Sequence, residues 1–309
     1  MSIARSTLLW VSENRRLRQK LPKYKFIRRA VSRFMPGEEL EDALRAAETL
    51  RSRSINTILT QLGENITLES EANAVREHYG NVLEQVHRQN LDTYISVKLT
   101  QLGLDLDEEL CRRNVSALAE HASSLNNMVW IDIEQSQYVD RTLGLFKAIR
   151  KKYANVGLCL QAYLFRTKND LEELLPLSPA IRLVKGAYKE PANVAFPKKT
   201  DVDVNYFALM KILLENVNSK GIYAGIATHD LNLHEKIKRE AEHLGLSKQE
   251  YEFQMLYGIN MEEQYRLAND GYRMRNLISY GSFWFPWYVR RIAERPANAW
   301  FVVKNIFST

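Results

Sequence analysis

What this 309-residue chain has little of narrows the reading first. It holds two cysteines, Cys111 and Cys159. They lack metal-ligand spacing, and Cys159 sits in an apolar run, so two reduced, buried thiols are expected. No HxxxH or CxxC pair occurs and the carboxylates have no histidine cluster beside them, which leaves no metal site to predict. No nucleophile elbow stands out, which argues against Ser or Cys covalent catalysis. The 8 prolines and 13 glycines are scattered, so no disordered linker is marked. No apolar run is long enough to span a bilayer, and residues 1–11 lack an apolar signal core with a small-residue cleavage site. A cytoplasmic protein is expected, with peripheral contact to the inner face of a membrane left open. The formal charge is +6, but Lys and Arg alternate with Glu and Asp, as across 39–53. Without a long basic run, no nucleic-acid partner is expected.

What is present is ordinary globular material, 45% hydrophobic and 26% charged. Apolar residues at helical spacing (Leu40, Ala43, Leu44, Ala47, Leu50) mark a helix over Glu38–Arg51. Residues 1–53 read as an N-terminal helical segment. From Ser54 onward, short β-rich runs alternate with longer amphipathic ones, and residues 54–309 read as one domain. The runs are Asn56–Thr60, Thr93–Leu99, Val129–Ile133, Val156–Ala162, Ile181–Val184, Ile222–Ala227, Tyr251–Leu256 and Arg273–Ile278. The helical segments between them include Leu171–Leu175 and Val204–Asn218, and Pro286–Arg295 closes the series. Strand then helix, eight times in about 240 residues, predicts an α/β fold with a parallel (β/α)8 barrel. An open doubly wound sheet is the rival, but no GxGxxG phosphate loop follows the first run.

In such a barrel the site forms at the C-terminal ends of the strands. Polar residues there are Glu64, Lys98, Asp132, Glu134, Gln161, Arg182, Lys185, Tyr188, Thr228, His229, Asp230, Gln254 and Tyr257, with Arg290 and Arg291 on the last helix. Singly each has a bland reading: Asp as a helix cap, His as a packed imidazole, an Arg pair as solvated surface. Converging charges are harder to explain without a ligand, because a buried unpaired charge costs several kcal/mol. Lys98, Arg182, Lys185, Arg290 and Arg291 together predict a pocket for a carboxylate, a phosphorylated cofactor, or both.

These residues lie in recognisable strings: Val97-Lys98-Leu99-Thr100-Gln101-Leu102-Gly103, Ile131-Asp132-Ile133-Glu134, Leu160-Gln161-Ala162-Tyr163-Leu164, Arg182-Leu183-Val184-Lys185-Gly186-Ala187-Tyr188, Ala227-Thr228-His229-Asp230, Phe253-Gln254-Met255-Leu256-Tyr257-Gly258 and Arg290-Arg291-Ile292-Ala293-Glu294. In this order they resemble the motifs of the proline dehydrogenase family, monofunctional bacterial type, over nearly the whole chain. The resemblance implies a distorted (β/α)8 barrel with N-terminal helices and non-covalent FAD. It also implies oxidation of L-proline to 1-pyrroline-5-carboxylate by hydride transfer to flavin N5, with electrons passed to a quinone.

The same resemblance assigns roles. Asp132 and Arg182 serve catalysis. Ile133, Gln161, Arg182, Val184, Lys185, Gly186, Ala187, Thr228, His229 and Glu294 hold FAD. Lys98, Arg290 and Arg291 bind the substrate carboxylate, with Asp132 pairing Lys98 and Glu64 gating the arginine helix. Tyr188, Leu256, Leu277 and Trp287 line the substrate. Two of these depart from the family pattern, which has tyrosine at the positions of Leu277 and Trp287. That departure raises an alternative substrate, a hydroxyproline or another substituted cyclic or N-alkylated amino acid in a specialised biosynthetic pathway.

Overall fold

The computed structural model describes residues 31–63 and 66–294, with side chains described as far as Val289. Its elements run α1 (Leu40–Arg51), β1 (Asn56–Gln61), α2 (Glu69–Arg88), β2 (Thr93–Lys98), α3 (Glu108–Ser124), β3 (Val129–Asp132), α4 (Val139–Arg150), β4 (Val156–Gln161) and α5 (Thr167–Leu174). They continue β5 (Ala180–Val184), α6 (Lys199–Glu215), α7 (Val217–Lys220), β6 (Tyr223–Ala227), α8 (Leu231–His243), β7 (Tyr251–Leu256), α9 (Met261–Asn269), β8 (Arg273–Tyr280) and α10 (Trp284–Glu294). The eight strands are parallel and close in chain order, β8 pairing with β1. The barrel prediction holds.

A closed parallel sheet buries both faces, so its strands read as near-continuous apolar runs. β4 shows this most fully, with all six positions buried. Outward side chains such as Leu59, Ile95 and Ile131 join the helices in one large core. Inward side chains form a separate plug of Ile58, Trp130 and Ala180, with Tyr94, Met128 and Leu277 packed on it. Below the plug Arg275 is fully buried and donates to Glu252, which is equally buried, at 3.0 Å, and to Asp92 at 2.9 Å. The lumen is therefore filled, and only its C-terminal end is available for chemistry.

Among the helices that begin earlier than the apolar periodicity indicates, α5 starts at Thr167 rather than Leu171, α6 at Lys199 rather than Val204, and α10 at Trp284 rather than Pro286. The first turns of α5 and α6 are polar, Thr167-Lys168-Asn169 and Lys199-Thr200-Asp201, so they carry no apolar signal. In α5 the Arg166–Asp170 pair at 2.8 Å ties that turn down instead. β8 runs on to Tyr280 because the Leu62 N–H still finds the Tyr280 carbonyl at 2.7 Å. Of the expected helical segment over 1–53, residues 1–30 lie outside the described residues. The remainder supplies Val31 and Met35, which pack with Leu62 and α10 residues Trp284, Phe285 and Trp287 in a small second cluster.

Candidate active site

Alternation along a strand fixes which side chains face inward. On β2 these are Tyr94, Ser96 and Lys98, and the β2–β3 register sets Ser96 beside Trp130 and Lys98 beside Asp132. Arg182 comes from β5, paired in register with Cys159 on β4 and Gly225 on β6.

Asp132 is the hub. Its Oδ2 accepts from Lys98 Nζ at 3.2 Å, and its Oδ1 accepts from Ser96 Oγ at 2.9 Å and from Arg182 Nη2. Arg182 Nη2 also donates to Ser96 Oγ at 2.8 Å. The guanidinium lies over the Trp130 ring, 5.1 Å from its centroid, a cation–π contact. Burial alone would raise the Asp132 carboxyl, but the Lys98 ammonium and the Arg182 guanidinium outweigh it and hold the group below its ordinary range. Burial would lower Arg182, and Asp132 reverses that and raises it. The cluster holds two cations against one carboxylate, so it keeps net positive charge. Arg182 Nη1 is buried with no hydrogen-bond partner.

Around this hub the strand ends carry polar groups. Gln161 donates to the Glu134 carbonyl at 3.2 Å, and its Oε1 is buried without a partner. Gln254 donates to Glu252 at 2.9 Å, and its Oε1 is likewise unpartnered. The Glu134 carboxyl is raised by burial while it accepts from Thr100 Oγ1 at 2.8 Å. Leu256 and Leu277 face each other in register on β7 and β8 and give the end of the lumen an apolar wall. After β5 the chain turns at Gly186, with φ +118°, where a Cβ would lie 2.2 Å from the Tyr163 ring. Only glycine fits there. Lys185 Nζ is bound by Asp203 and, at 2.8 Å, by Asp230. Asp230 also caps α8 through the Asn232 and Leu233 N–H groups. Thr228 is buried; its Oγ1 accepts from the Asp230 N–H at 3.2 Å and its carbonyl pairs with His234 at 3.0 Å.

A family model described as proline dehydrogenase matches residues 43–304. This chain belongs to the proline dehydrogenase family. It is 38% identical over 302 residues to proline dehydrogenase 1 of Bacillus subtilis subsp. natto, covering 98% of each chain. It is 37% identical over 279 residues to proline dehydrogenase of Deinococcus radiodurans, covering 89% of each. A crystal structure of proline utilization A from Bdellovibrio bacteriovorus superposes with a TM-score of 0.81 at 21% identity, over 93% of this chain and 38% of that one. At that identity it bears on the fold alone.

Against the proline dehydrogenase expectations, the structure brings Lys98, Asp132 and Arg182 into direct contact, and sets Gln161 and Val184 beside each other in register. Ile133 is buried next to Asp132. Ala187 and Tyr188 lie in the partly buried turn after Gly186, and His229 in the turn after β6. Lys185 is placed on carboxylates of its own chain. Trp287 sits in the small cluster with Val31 and Met35. Glu64 lies outside the described residues, as do the side chains of Arg290, Arg291 and Glu294, whose helix is present. Sequence reasoning passed over Ser96 and Trp130. Period-two alternation was the available signal, since each stands two residues before a singled-out residue on the same strand face. Among the described residues no group of three or more His, Cys, Asp or Glu is gathered to hold a metal ion. Nor is any helix among them long and apolar enough to cross a membrane.

Proposed function

We propose that this chain oxidises L-proline to 1-pyrroline-5-carboxylate with non-covalently bound FAD and hands the electrons to a quinone. The observation that carries the reading is the net-positive Asp132–Lys98–Arg182 cluster, with Arg182 buried and Lys98 and Asp132 half-buried, at the end of an otherwise plugged lumen. A carboxylate substrate and an anionic reduced cofactor both need such a cluster.

The residues present fit FAD. Arg182 Nη1 is an unpartnered donor and Gln161 Oε1 an unpartnered acceptor, both buried. An isoalloxazine edge offers the matching acceptors and N–H donor. The turn that carries Lys185 and Ala187 is fixed by Gly186, whose φ of +118° and contact with the Tyr163 ring admit no side chain. Arg182, Gln161, Ile133 and Val184 would hold the ring system. Lys185, Gly186, Ala187, Thr228, His229 and Glu294 would hold the remainder, Lys185 by exchanging part of its bond to Asp203 and Asp230. When bound, FAD supplies the two-electron acceptor for the hydride leaving the substrate carbon.

The chain's own residues do the rest. Lys98, with Arg290 and Arg291 from α10, receives the substrate carboxylate. Asp132 holds Lys98 by its Oδ2 and so fixes the direction of the ammonium. Leu256 and Leu277 pack the apolar ring carbons and exclude water from that side, and Tyr188 and Trp287 complete the lining. Glu64 gates the arginine helix. Arg182 stabilises the negative charge that develops as the substrate is oxidised. Proline is preferred to a substituted analogue because the relatives similar over almost their whole length are named for it. A quinone acceptor is lipid-soluble, so the chain is read as cytoplasmic with peripheral contact to the inner membrane face.

The test is anaerobic. Protein reconstituted with FAD should be yellow and should bleach on adding L-proline, faster than with hydroxyproline or N-methylated analogues. A protein that stays colourless in FAD overturns the cofactor reading, and faster bleaching by an analogue overturns the substrate.

A further inference from the structure

Ser96 has no assigned role, yet it is fully buried and sits between the two groups on which the proposed reaction depends. Its hydrogen-bond directions are determined by its neighbours. A guanidinium can only donate and an ionised carboxylate can only accept. The Ser96 hydroxyl must therefore accept from Arg182 Nη2 at 2.8 Å and donate to Asp132 Oδ1 at 2.9 Å. Arg182 Nη2 also reaches Asp132 Oδ1, so the three groups close a ring. Two features hold that ring in place. Trp130 supports the guanidinium from its face. Tyr79 of α2 fixes the Ser96 backbone: its hydroxyl donates to the Ser96 carbonyl at 2.9 Å and accepts from the Gln61 N–H at 2.9 Å. β1 and β2 are paired in register from Thr57 and Thr93 as far as Leu59 and Ile95, and the Tyr79 hydroxyl bridges the strands just beyond.

With Nη2 engaged by Ser96 and Asp132, Nη1 is a guanidinium nitrogen buried with no hydrogen-bond partner and so able to meet a ligand. The hydroxyl also takes up part of the Asp132 oxygen's acceptor capacity. Without it that oxygen would bind Arg182 alone and neutralise more of its charge. We propose that Ser96 is a positioning residue for the oxidation: by standing between Asp132 and Arg182 it aims Nη1 at the bound cofactor and keeps the arginine charge available to it. The inference rests on the FAD-dependent reading above.

The experiment compares the FAD-reconstituted wild-type chain with Ser96→Ala and Ser96→Thr. It measures steady-state kinetics with L-proline, the midpoint potential of the bound flavin by spectroelectrochemistry, and the melting temperature. Ser96→Ala should lower kcat about tenfold. KM should stay within threefold, since Lys98 keeps its bond to Asp132. The flavin potential should move negative by about 30 mV, the equivalent of tenfold for a two-electron couple. Ser96→Thr keeps the hydroxyl and should restore the potential even if its extra methyl lowers the melting temperature. The inference is overturned if Ser96→Ala leaves kcat and potential unchanged, or lowers kcat together with melting temperature while the potential stays put. Wild-type protein that neither holds FAD nor bleaches with proline overturns the functional reading first, and this inference with it.

Discussion

Asp132→Asn keeps the shape of the side chain and removes one charge, which isolates what that charge does. In the folded protein the carboxylate faces Lys98 at 3.2 Å and is bound by Arg182 Nη2, with the Arg182 side chain 4% and the Asp132 side chain 17% exposed. Removing one partner of a buried pair leaves the other uncompensated, which costs about 3–5 kcal/mol. Here Lys98 is 23% exposed and recovers some hydration, so the lower end, about 3 kcal/mol, is expected. The amide also turns an N–H₂ toward donors that have no lone pair to offer. For a chain of this size about 3 kcal/mol corresponds to a fall of roughly 5 °C in melting temperature. Asp132 also has a pH signature. Its pKa lies below the ordinary value. Its contribution to stability is therefore present above about pH 4, the unfolded carboxylate range, and is lost as pH falls through the lowered folded value. The gap between wild type and Asp132→Asn should close in acid. Scanning calorimetry from pH 3 to 8, with proline turnover at pH 7.5, provides the assay. Turnover should fall at least a hundredfold, because both cations lose their alignment. A variant that melts within 2 °C of wild type at pH 7 and keeps kcat/KM within threefold would refute the assignment of Asp132 as hub.

Gly186→Ala forces a side chain onto φ +118° and into the Tyr163 ring; backbone strain of this kind costs about 1–3 kcal/mol, and FAD affinity, read by flavin fluorescence titration, should fall at least tenfold. Leu277→Ala removes three carbons from the apolar wall, about 1.5–2.5 kcal/mol at ~0.8 kcal/mol per CH₂, so KM for L-proline should rise about tenfold or more; an unchanged KM would remove Leu277 from the substrate lining. Glu252→Gln strips the counter-charge from Arg275 below the plug and should cost about 3–5 kcal/mol of stability while KM stays within threefold, a contrast checked by running melts and kinetics on the same preparation.

Particular residues show how far the sequence alone reaches. The barrel was legible because the β-rich runs are largely buried on both faces and carry apolar residues at successive positions, most fully in the strand Val156–Gln161, while the longer helices show one apolar stripe. Helix starts were less legible, since the first turns at Thr167 and Lys199 are polar and carry ion pairs, Arg166–Asp170 and Lys199–Asp203, in place of an apolar stripe. Lys98, Asp132 and Arg182 were visible as charged residues in strands that are otherwise apolar.

The sequence by itself determined the class of fold, the order of its units and the charged residues that must be reconciled inside it, because periodicity and burial are local properties of the chain. Only the tertiary structure decided that Asp132 serves Arg182 as well as Lys98, and that Ser96 closes the ring between them. It also decided that Lys185 is bound by Asp203 and Asp230. Those contacts join residues 18 to 86 positions apart. The contacts among Ser96, Asp132 and Arg182 arise from the register of the closed sheet, which sets which inward side chains share a layer, and those of Lys185 from the placement of Asp203 on α6 and of Asp230 at the start of α8; no local pattern in the chain encodes either.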